Sequence, residues 1–525
     1  MRKFRVQGSG FRVQGFRIYV PFVLFVLFVF VCPQTPNPEP RPLKGITVLL
    51  IFIFTIPLMA AGIAYVIRSN WARPMLLPVV ALAHLVMVVL ALDQETIQIE
   101  TGWLQLDPLG KIILLSISIL FFCCSLYAPG YLRLRQDRPN QVFCACLLIL
   151  LGMMSLVAVT HHLGLMWVAI EATSLASAPL LFFNRTPHSL EAAWKYLLIC
   201  SVGIALALLG SFFLAYSSLY GGLESTLLFD DLVKSAPQLS KPWLHAAFVT
   251  LLVGYGTKMG LAPMHTWKPD AYGEAPGIVG ALLAGGVTSC AFIAIFRVTT
   301  ILNAAQESRF ASKILIGIGL LSMAVAAVFL VRQKDYKRML AYSSIEHMGI
   351  LVLGIGLGGP GIFGALLHLL NNAFAKGVLF LSSGNIHRAY GSKSTDQVSG
   401  ALVRLPASGA LFLGGFIAIT GSPPFGPFMS EFIIVRQAFQ TGRFGVVGLV
   451  LVLLFAIFIG MGNTVLAMVQ GTPEPTGSPG NFHDTPQTVI PIILLFLLVL
   501  GLGIFLPPSL AHLLTEAAVY LEGHV

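Results

Sequence analysis

The chain has 525 residues, 56% of them hydrophobic and 10% charged, with a formal net charge of +10 and a mean hydropathy of +0.84. Soluble domains carry about 25% charged residues, so a soluble globule is excluded. The basic residues sit in short loops between apolar runs, where the positive-inside bias places them, and they signal topology rather than a nucleic-acid partner.

Residues 1–45 form an atypical extension in which the string FRVQG occurs twice, from Phe4 to Gly8 and from Phe11 to Gly15. An apolar run from Ile18 to Cys32 and a Pro-rich linker follow. An uncleaved extra helix, a signal-like segment with a basic lead, and a start codon placed too far upstream all fit this pattern. The run lacks an A-x-A cleavage site, and the third reading is preferred.

One spanning helix needs about 20 apolar residues. Suitable runs fall near 46–67, 75–92, 110–128, 142–160, 163–183, 195–219, 244–262, 277–302, 314–331, 339–357, 361–387, 407–439, 445–469 and 487–517. The expected fold is therefore an all-α polytopic membrane protein of about fourteen transmembrane helices. Loops after odd-numbered spans carry Arg68 and Arg73; Arg133, Arg135 and Arg138; Arg185; Lys268; Arg332, Lys334, Lys337 and Arg338; and Arg388 and Lys393. These loops are expected to face the cytoplasm, with both ends of the fourteen-helix core outside. Even-numbered loops are acidic or poor in basic residues, as in Asp93, Glu95, Glu100 and Asp107, with Lys234, Lys241, Arg309, Lys313 and Arg443 dissenting.

Helix breakers interrupt two spans, at Gly256-Thr-Lys-Met-Gly-Leu-Ala-Pro263 and at Thr420-Gly-Ser-Pro-Pro-Phe-Gly-Pro427. Backbone groups freed at membrane depth must be buried in protein or face water. A pair of interrupted helices in corresponding positions is the signature of an inverted-repeat transporter, although the two halves share no visible sequence similarity.

Four ionisable residues lie inside apolar runs: Glu171, Lys258 beside the first break, Lys376, and Glu431 after the second. Burying each costs about 2.5 to 3.5 kcal/mol on insertion scales. Desolvation disfavours the charged form of either kind and brings both toward easy proton exchange, as a proton relay requires. The competing reading is a static Glu171–Lys258 ion pair pinning two helices, with Lys376 and Glu431 reaching helix ends. His347 and His368, whose ring type titrates near 6.5, lie on the path between the lysines and Glu431, while His161, His162 and His265 fall nearer helix ends. The seven cysteines lack C-x-x-C spacing and read as packing residues. No carboxylate–histidine spacing reads as a metal site, and no Gly-rich dinucleotide loop follows a strand, so no cofactor is expected in the chain.

The three strings Gly256-Thr-Lys-Met-Gly-Leu-Ala-Pro-Met-His-Thr-Trp-Lys-Pro-Asp-Ala, Arg332-Gln-Lys-Asp-Tyr-Lys-Arg-Met-Leu-Ala-Tyr-Ser-Ser-Ile-Glu-His-Met-Gly and Gly421-Ser-Pro-Pro-Phe-Gly-Pro-Phe-Met-Ser-Glu-Phe carry a resemblance. The chain resembles the antiporter-like membrane subunits shared by complex I (NADH:quinone oxidoreductase), group 4 membrane hydrogenases and multisubunit Na+/H+ antiporters. The run from Met264 to Pro276, with Gly280 to Cys290, looks closest to the hydrogenase 4 component F type. The resemblance implies N-terminal helices (46–140), two antiporter-like repeats (141–305 and 306–470) and a C-terminal loop and helix (471–525).

The same resemblance makes Glu171 the modulating carboxylate, Lys258 the central proton-binding lysine, Lys376 the next relay group and Glu431 the terminal one. It assigns the Asp335–Arg338 loop to anchoring. The family often carries a lysine or histidine in the helix after the first break, where this chain offers Thr288 and Ser289; these hydroxyls are expected to bridge the gap through water. Tyr272 and Asn372 stand where relatives carry histidine. The implied function is proton (or sodium) translocation in a redox-driven assembly of the bacterial cytoplasmic membrane, a hydrogenase 4, formate hydrogenlyase-like or quinone-reductase-like complex. Its partners are other membrane subunits, lipid, and a peripheral arm holding iron-sulfur or metal centres, with no electron transfer in this chain. The rivals are a component of a secondary Na+(K+)/H+ antiporter and a structural membrane anchor.

Overall fold

The structure, a computed structural model, describes residues 45–94, 97–98, 102–135, 138–472 and 482–522. The 1–45 extension up to Lys44, with Cys32, and the loop residues Glu95 and Glu100 lie outside the described residues.

Helices dominate, in the order α1 (Gly45–Val66), α2 (Ala72–Leu92), α3 (Pro108–Arg133), α4 (Gln141–Val159), α5 (Leu163–Leu181), α6 (Pro187–Tyr220), α7 (Lys241–Met259) and α8 (Trp267–Glu274). Then come α9 (Gly277–Ala304), α10 (Ser308–Leu330), α11 (Tyr336–Leu357), α12 (Pro360–Tyr390), α13 (Pro406–Ile419), α14 (Gly426–Gln440), α15 (Phe444–Val469), α16 (Pro486–Ile504) and α17 (Pro508–Glu522). A small antiparallel hairpin, β1 (Ile97–Gln98) with β2 (Gln105–Leu106), precedes α3.

Among the described residues twelve helices are long and apolar enough to span a membrane. The two expected spans not among them are the broken ones, α7–α8 and α13–α14, so the described helices agree with a count of fourteen. Helix α7 ends where Gly260 turns left-handed at φ +82° and the chain crosses Leu261–Thr266 before α8. Helix α13 ends at Ile419, Gly421 adopts φ +68°, and α14 resumes at Gly426. Prolines and capping residues open several helices: Asp107 accepts from Gly110 N–H ahead of Pro108, and Thr186 and Thr485 form capping boxes before Pro187 and Pro486. Each satisfies amide groups that a helix start leaves free.

One expectation is corrected at the C-terminal end. The run 487–517 is two helices, because Pro507-Pro508 cannot continue α16. Helix α17 buries Leu514, Ala517 and Leu521 along one side against α3, α9 and α12, which marks a surface helix rather than part of a span.

Packing sorts the bundle into a centre and a lipid-facing rim. Helices α9, α11 and α12 are buried along nearly their whole length. Leu198 and Val202 on α6, and Val452 and Phe455 on α15, are exposed, as a lipid contact surface requires. Close backbone approach holds α6 to α7: a Cβ on Gly203 would collide with Thr257, and one on Gly254 with Ala207. Small residues serve this purpose where the surroundings offer no hydrophobic drive between helices.

Ion pairs gather at the loop ends of the helices. On one face Asp270 pairs with Lys195 and Arg338, and Glu274 with Lys393. On the other, Glu307 pairs with Lys241 and His245, Asp107 with His161 and Arg297, and Glu522 accepts from Gly359 N–H. Lys241, a dissenter from the charge rule, therefore has a local acidic partner. Lys268, expected in a loop, is 0% exposed, and Lys337 is also buried.

Candidate functional site

Lys258 lies in the last turn of α7, immediately before the first break, and is 0% exposed. Its ammonium donates to Ser174 Oγ of α5 and to Tyr196 Oη of α6, both at 2.6 Å. Ser174 in turn donates to Glu171 Oε2 at 2.9 Å, and Ser201 donates to Oε1 at 3.1 Å. Glu171 is thus joined to Lys258 through one hydroxyl instead of by the direct ion pair that a static reading requires. Tyr196 is fixed by Ser177 Oγ at 2.8 Å and by the Trp267 ring at 4.9 Å. Trp267 is itself pinned by donation to Thr257 O at 2.8 Å, which ties α8 back to the end of α7.

The second group gathers on α11, α12 and α14. Lys376, mid-helix and 0% exposed, donates to Ser343 Oγ at 2.7 Å. His347 Nδ1 and His368 Nε2 share a hydrogen bond of 3.0 Å, and His368 Nδ1 meets Ser430 Oγ at 2.9 Å. Ser430 precedes Glu431, whose side chain folds toward the second break, where a Cβ on Gly421 would strike its carboxylate. The lysines, histidines and Glu431 expected from the sequence are therefore buried, and the later four are brought together.

Thr288 and Ser289 lie buried on α9. Each donates into its own helix, to Ala284 O at 2.7 Å and Gly285 O at 2.6 Å, after a π-helical turn over Leu283–Val287.

Four participants escaped the sequence reading. Glu346 is 2% exposed, with Oε2 3.8 Å from His347 Nε2; as an ionisable residue inside the 339–357 run, it met the criterion that found Glu171. Ser174, Tyr196 and Ser343 carry no sequence signal, because hydroxyls are ordinary in such helices.

Among the described residues, buried side-chain atoms without a hydrogen-bond partner occur in several parts of the bundle, and a group of them falls on this second side. The group on this side is Glu346 Oε2, His347 Nε2, Asn371 Oδ1 and Nδ2, Asn372 Oδ1 and Glu431 Oε1. Buried polar groups are nearly always satisfied, by protein or by ordered water, so this row marks where water or a transported ion fits. His347, His368 and Glu431 also bring ligand atoms within 4.8 Å of one another. Residues far apart in sequence thus form a group that could hold a metal ion, which local spacing did not signal. The nearby Lys376 ammonium opposes a further positive charge there.

Comparison with known proteins matches residues 160–460 to the family model described as NADH:quinone oxidoreductase/Mrp antiporter, TM. The chain is 32% identical to a hydrogenase-4 component F homolog of Methylacidiphilum infernorum, over 79% of this chain and 88% of the relative. It is 29% identical to NADH-quinone oxidoreductase subunit N of Desulforudis audaxviator, over 87% and 96%. Its fold superimposes on a chain of the Mrp complex from Dietzia sp. DQ12-45-1b with a TM-score of 0.81 at 19% identity, covering 91% of this chain and 98% of that one. With the broken helices, the buried lysines and this match over more than half its length, the chain belongs to the NADH:quinone oxidoreductase/Mrp antiporter transmembrane family.

Proposed function

We propose that this chain is the proton-translocating membrane subunit of a redox-driven complex in a bacterial cytoplasmic membrane, working beside other membrane subunits and a peripheral arm that carries the redox centres. The observation that carries the reading is the pairing of two buried lysines, each held by hydroxyls, with a row of unpartnered buried polar atoms leading to Glu431. A lysine held by hydroxyls keeps hydrogen-bond partners in either protonation state, since a hydroxyl both donates and accepts. A lysine locked to a carboxylate would be far harder to deprotonate.

In this mechanism Lys258 takes a proton while Glu171, acting through Ser174, biases its charge state. The proton passes toward Lys376, then along His347, His368 and intervening water to Glu431, and leaves at the second break. Electron transfer in the partner arm supplies the energy by moving charge near Glu171 or Lys258, where Coulomb forces act strongly.

The second reading, a component of a secondary Na+/H+ antiporter, draws on 29% identity to one of the Na(+)/H(+) antiporter subunits of Alkalihalophilus pseudofirmus. Sealed vesicles holding the whole complex and a trapped pH-sensitive dye separate the two. Redox-driven pumping requires proton movement on addition of electron donor without a sodium gradient. Movement that follows an imposed sodium gradient alone supports the antiporter. An unchanged flux in an assembled Lys258→Ala complex would refute both and leave a structural anchor.

A further inference from the structure

Between the Lys258 and Lys376 sites the relay lacks a carrier on the helix that would be expected to supply one. Helix α9 holds no lysine, histidine or carboxylate from Gly277 to Phe296, and the Thr288 and Ser289 hydroxyls donate to carbonyls of their own helix. The space beside the first break holds a different cation. Lys268, on α8, is 0% exposed, and its ammonium donates to Met259 O at 2.7 Å, the carbonyl of the residue after Lys258. Its stem passes over Gly260, where any Cβ would collide with Cδ, Cε and Nζ. The left-handed glycine of the break thus also makes room for this side chain.

On its other side the Lys268 ammonium lies 5.6 Å from the centre of the Tyr272 ring. The Tyr272 hydroxyl and Ser344 Oγ are both buried and face one another, and Ser344 adjoins Ser343, which accepts from Lys376. The Tyr272 ring packs on Phe380 at 5.5 Å, one turn beyond Lys376 on α12. Lys268 is within electrostatic range of Lys376 and of Cys200, and Cys200 is likewise within range of Lys258. Among the described residues no carboxylate lies within salt-bridge distance of Lys268. A buried, acid-free ammonium is costly, and a bare helix-end contact could have been made by a neutral donor.

We propose that Lys268 is the proton-carrying group that joins the Lys258 site to the Lys376 site, in place of a titratable side chain on α9. The inference rests on the reading of the chain as a proton translocator. An N–H bond at Lys268 breaks as one forms on water or on the neutral Lys376 amine, and the proton of Lys258 then refills Lys268. No other reactant is consumed.

The competing role is structural: Lys268 satisfies a free carbonyl at the negative end of α7. Arginine separates the two, because it donates to the same carbonyl but does not release its proton. In dye-loaded vesicles of the whole complex, checked for assembly by subunit content, Lys268→Met and Lys268→Arg are both expected to lower proton flux by about tenfold or more. Lys268→His is expected to recover part of the flux with its optimum moved toward acid, since imidazole titrates near 6.5. Wild-type flux in the Lys268→Arg complex would assign Lys268 to the helix end and overturn the proposal, as would wild-type flux in Lys268→Met. If Lys258→Ala in the same vesicles keeps its flux, the translocator reading itself fails, an outcome distinct from failure at Lys268 alone.

Discussion

The surroundings of Lys258 and those of Glu431 solve the problem of buried charge in opposite ways. Around Lys258 the protein supplies the partners: Ser174, Tyr196, Ser177 and Ser201 form a closed set linking the ammonium to Glu171. Around Glu431 it leaves them open, with Glu346, His347, Asn371, Asn372 and Glu431 each keeping at least one buried atom unpartnered. The first arrangement favours holding a proton in a defined place. The second needs water to be complete, and a file of water is the medium through which protons move between fixed groups.

The largest expected effect breaks the closed site. Lys258→Ala should reduce proton flux by about a hundredfold or more, the scale on which a positioned acid–base group acts, as read by dye response in vesicles of assembled complex. Next comes the geometry of the open site. Gly421→Ala places a methyl group against the Glu431 carboxylate at a left-handed backbone position, and flux should fall by up to about a hundredfold, as misplacement of a reacting group can cost. Flux equal to wild type there would remove Glu431 from the path.

Smaller changes sharpen the contrast. Tyr196→Phe removes one of two hydroxyls on the Lys258 ammonium and should cost about 1.5 to 3 kcal/mol in denaturation of the complex, with a severalfold loss of flux. Asn371→Leu removes two unpartnered atoms, so stability should hold or rise while flux drops; a marked loss of stability would show that Asn371 is satisfied by protein and that the site is not open.

The smallest effect on flux belongs to Asp107, outside both sites at the start of α3. Burial alone would raise its carboxyl, but Arg297, His161 and the Gly110 N–H outweigh burial and hold it well below the usual carboxylate range. A carboxylate depressed in the folded state stabilises fully above its unfolded value, near 3.9, and loses that contribution as pH falls through the folded one. Stability owed to Asp107 should therefore be flat from pH 5 to 8 and fail only in strong acid. Asp107→Asn should cost about 3 to 5 kcal/mol at neutral pH, because Arg297 is left buried without its acid, while flux per assembled complex stays near wild type.

Much of this was legible in the sequence. Apolar run lengths located the spans, and Gly and Pro clusters located both breaks, because membrane-depth backbone tolerates interruption in few ways. Glu171, Lys258, Lys376 and Glu431 stood out because charge inside an apolar run is rare. Lys268 did not, since it follows the first break and reads as a loop cation until α8 folds back against α7. The end of the last span was misjudged because run length outweighed Pro507-Pro508. The hydroxyl partners and the unpartnered row depend on contacts between distant helices, which local pattern does not encode.

The most direct test measures proton flux in the same vesicle system for Lys258→Ala and Glu431→Gln, each confirmed to assemble. A continuous relay predicts that both lose flux, although one changes the closed site and the other the open end. Retention of wild-type flux by either variant would contradict a path running from Lys258 to Glu431.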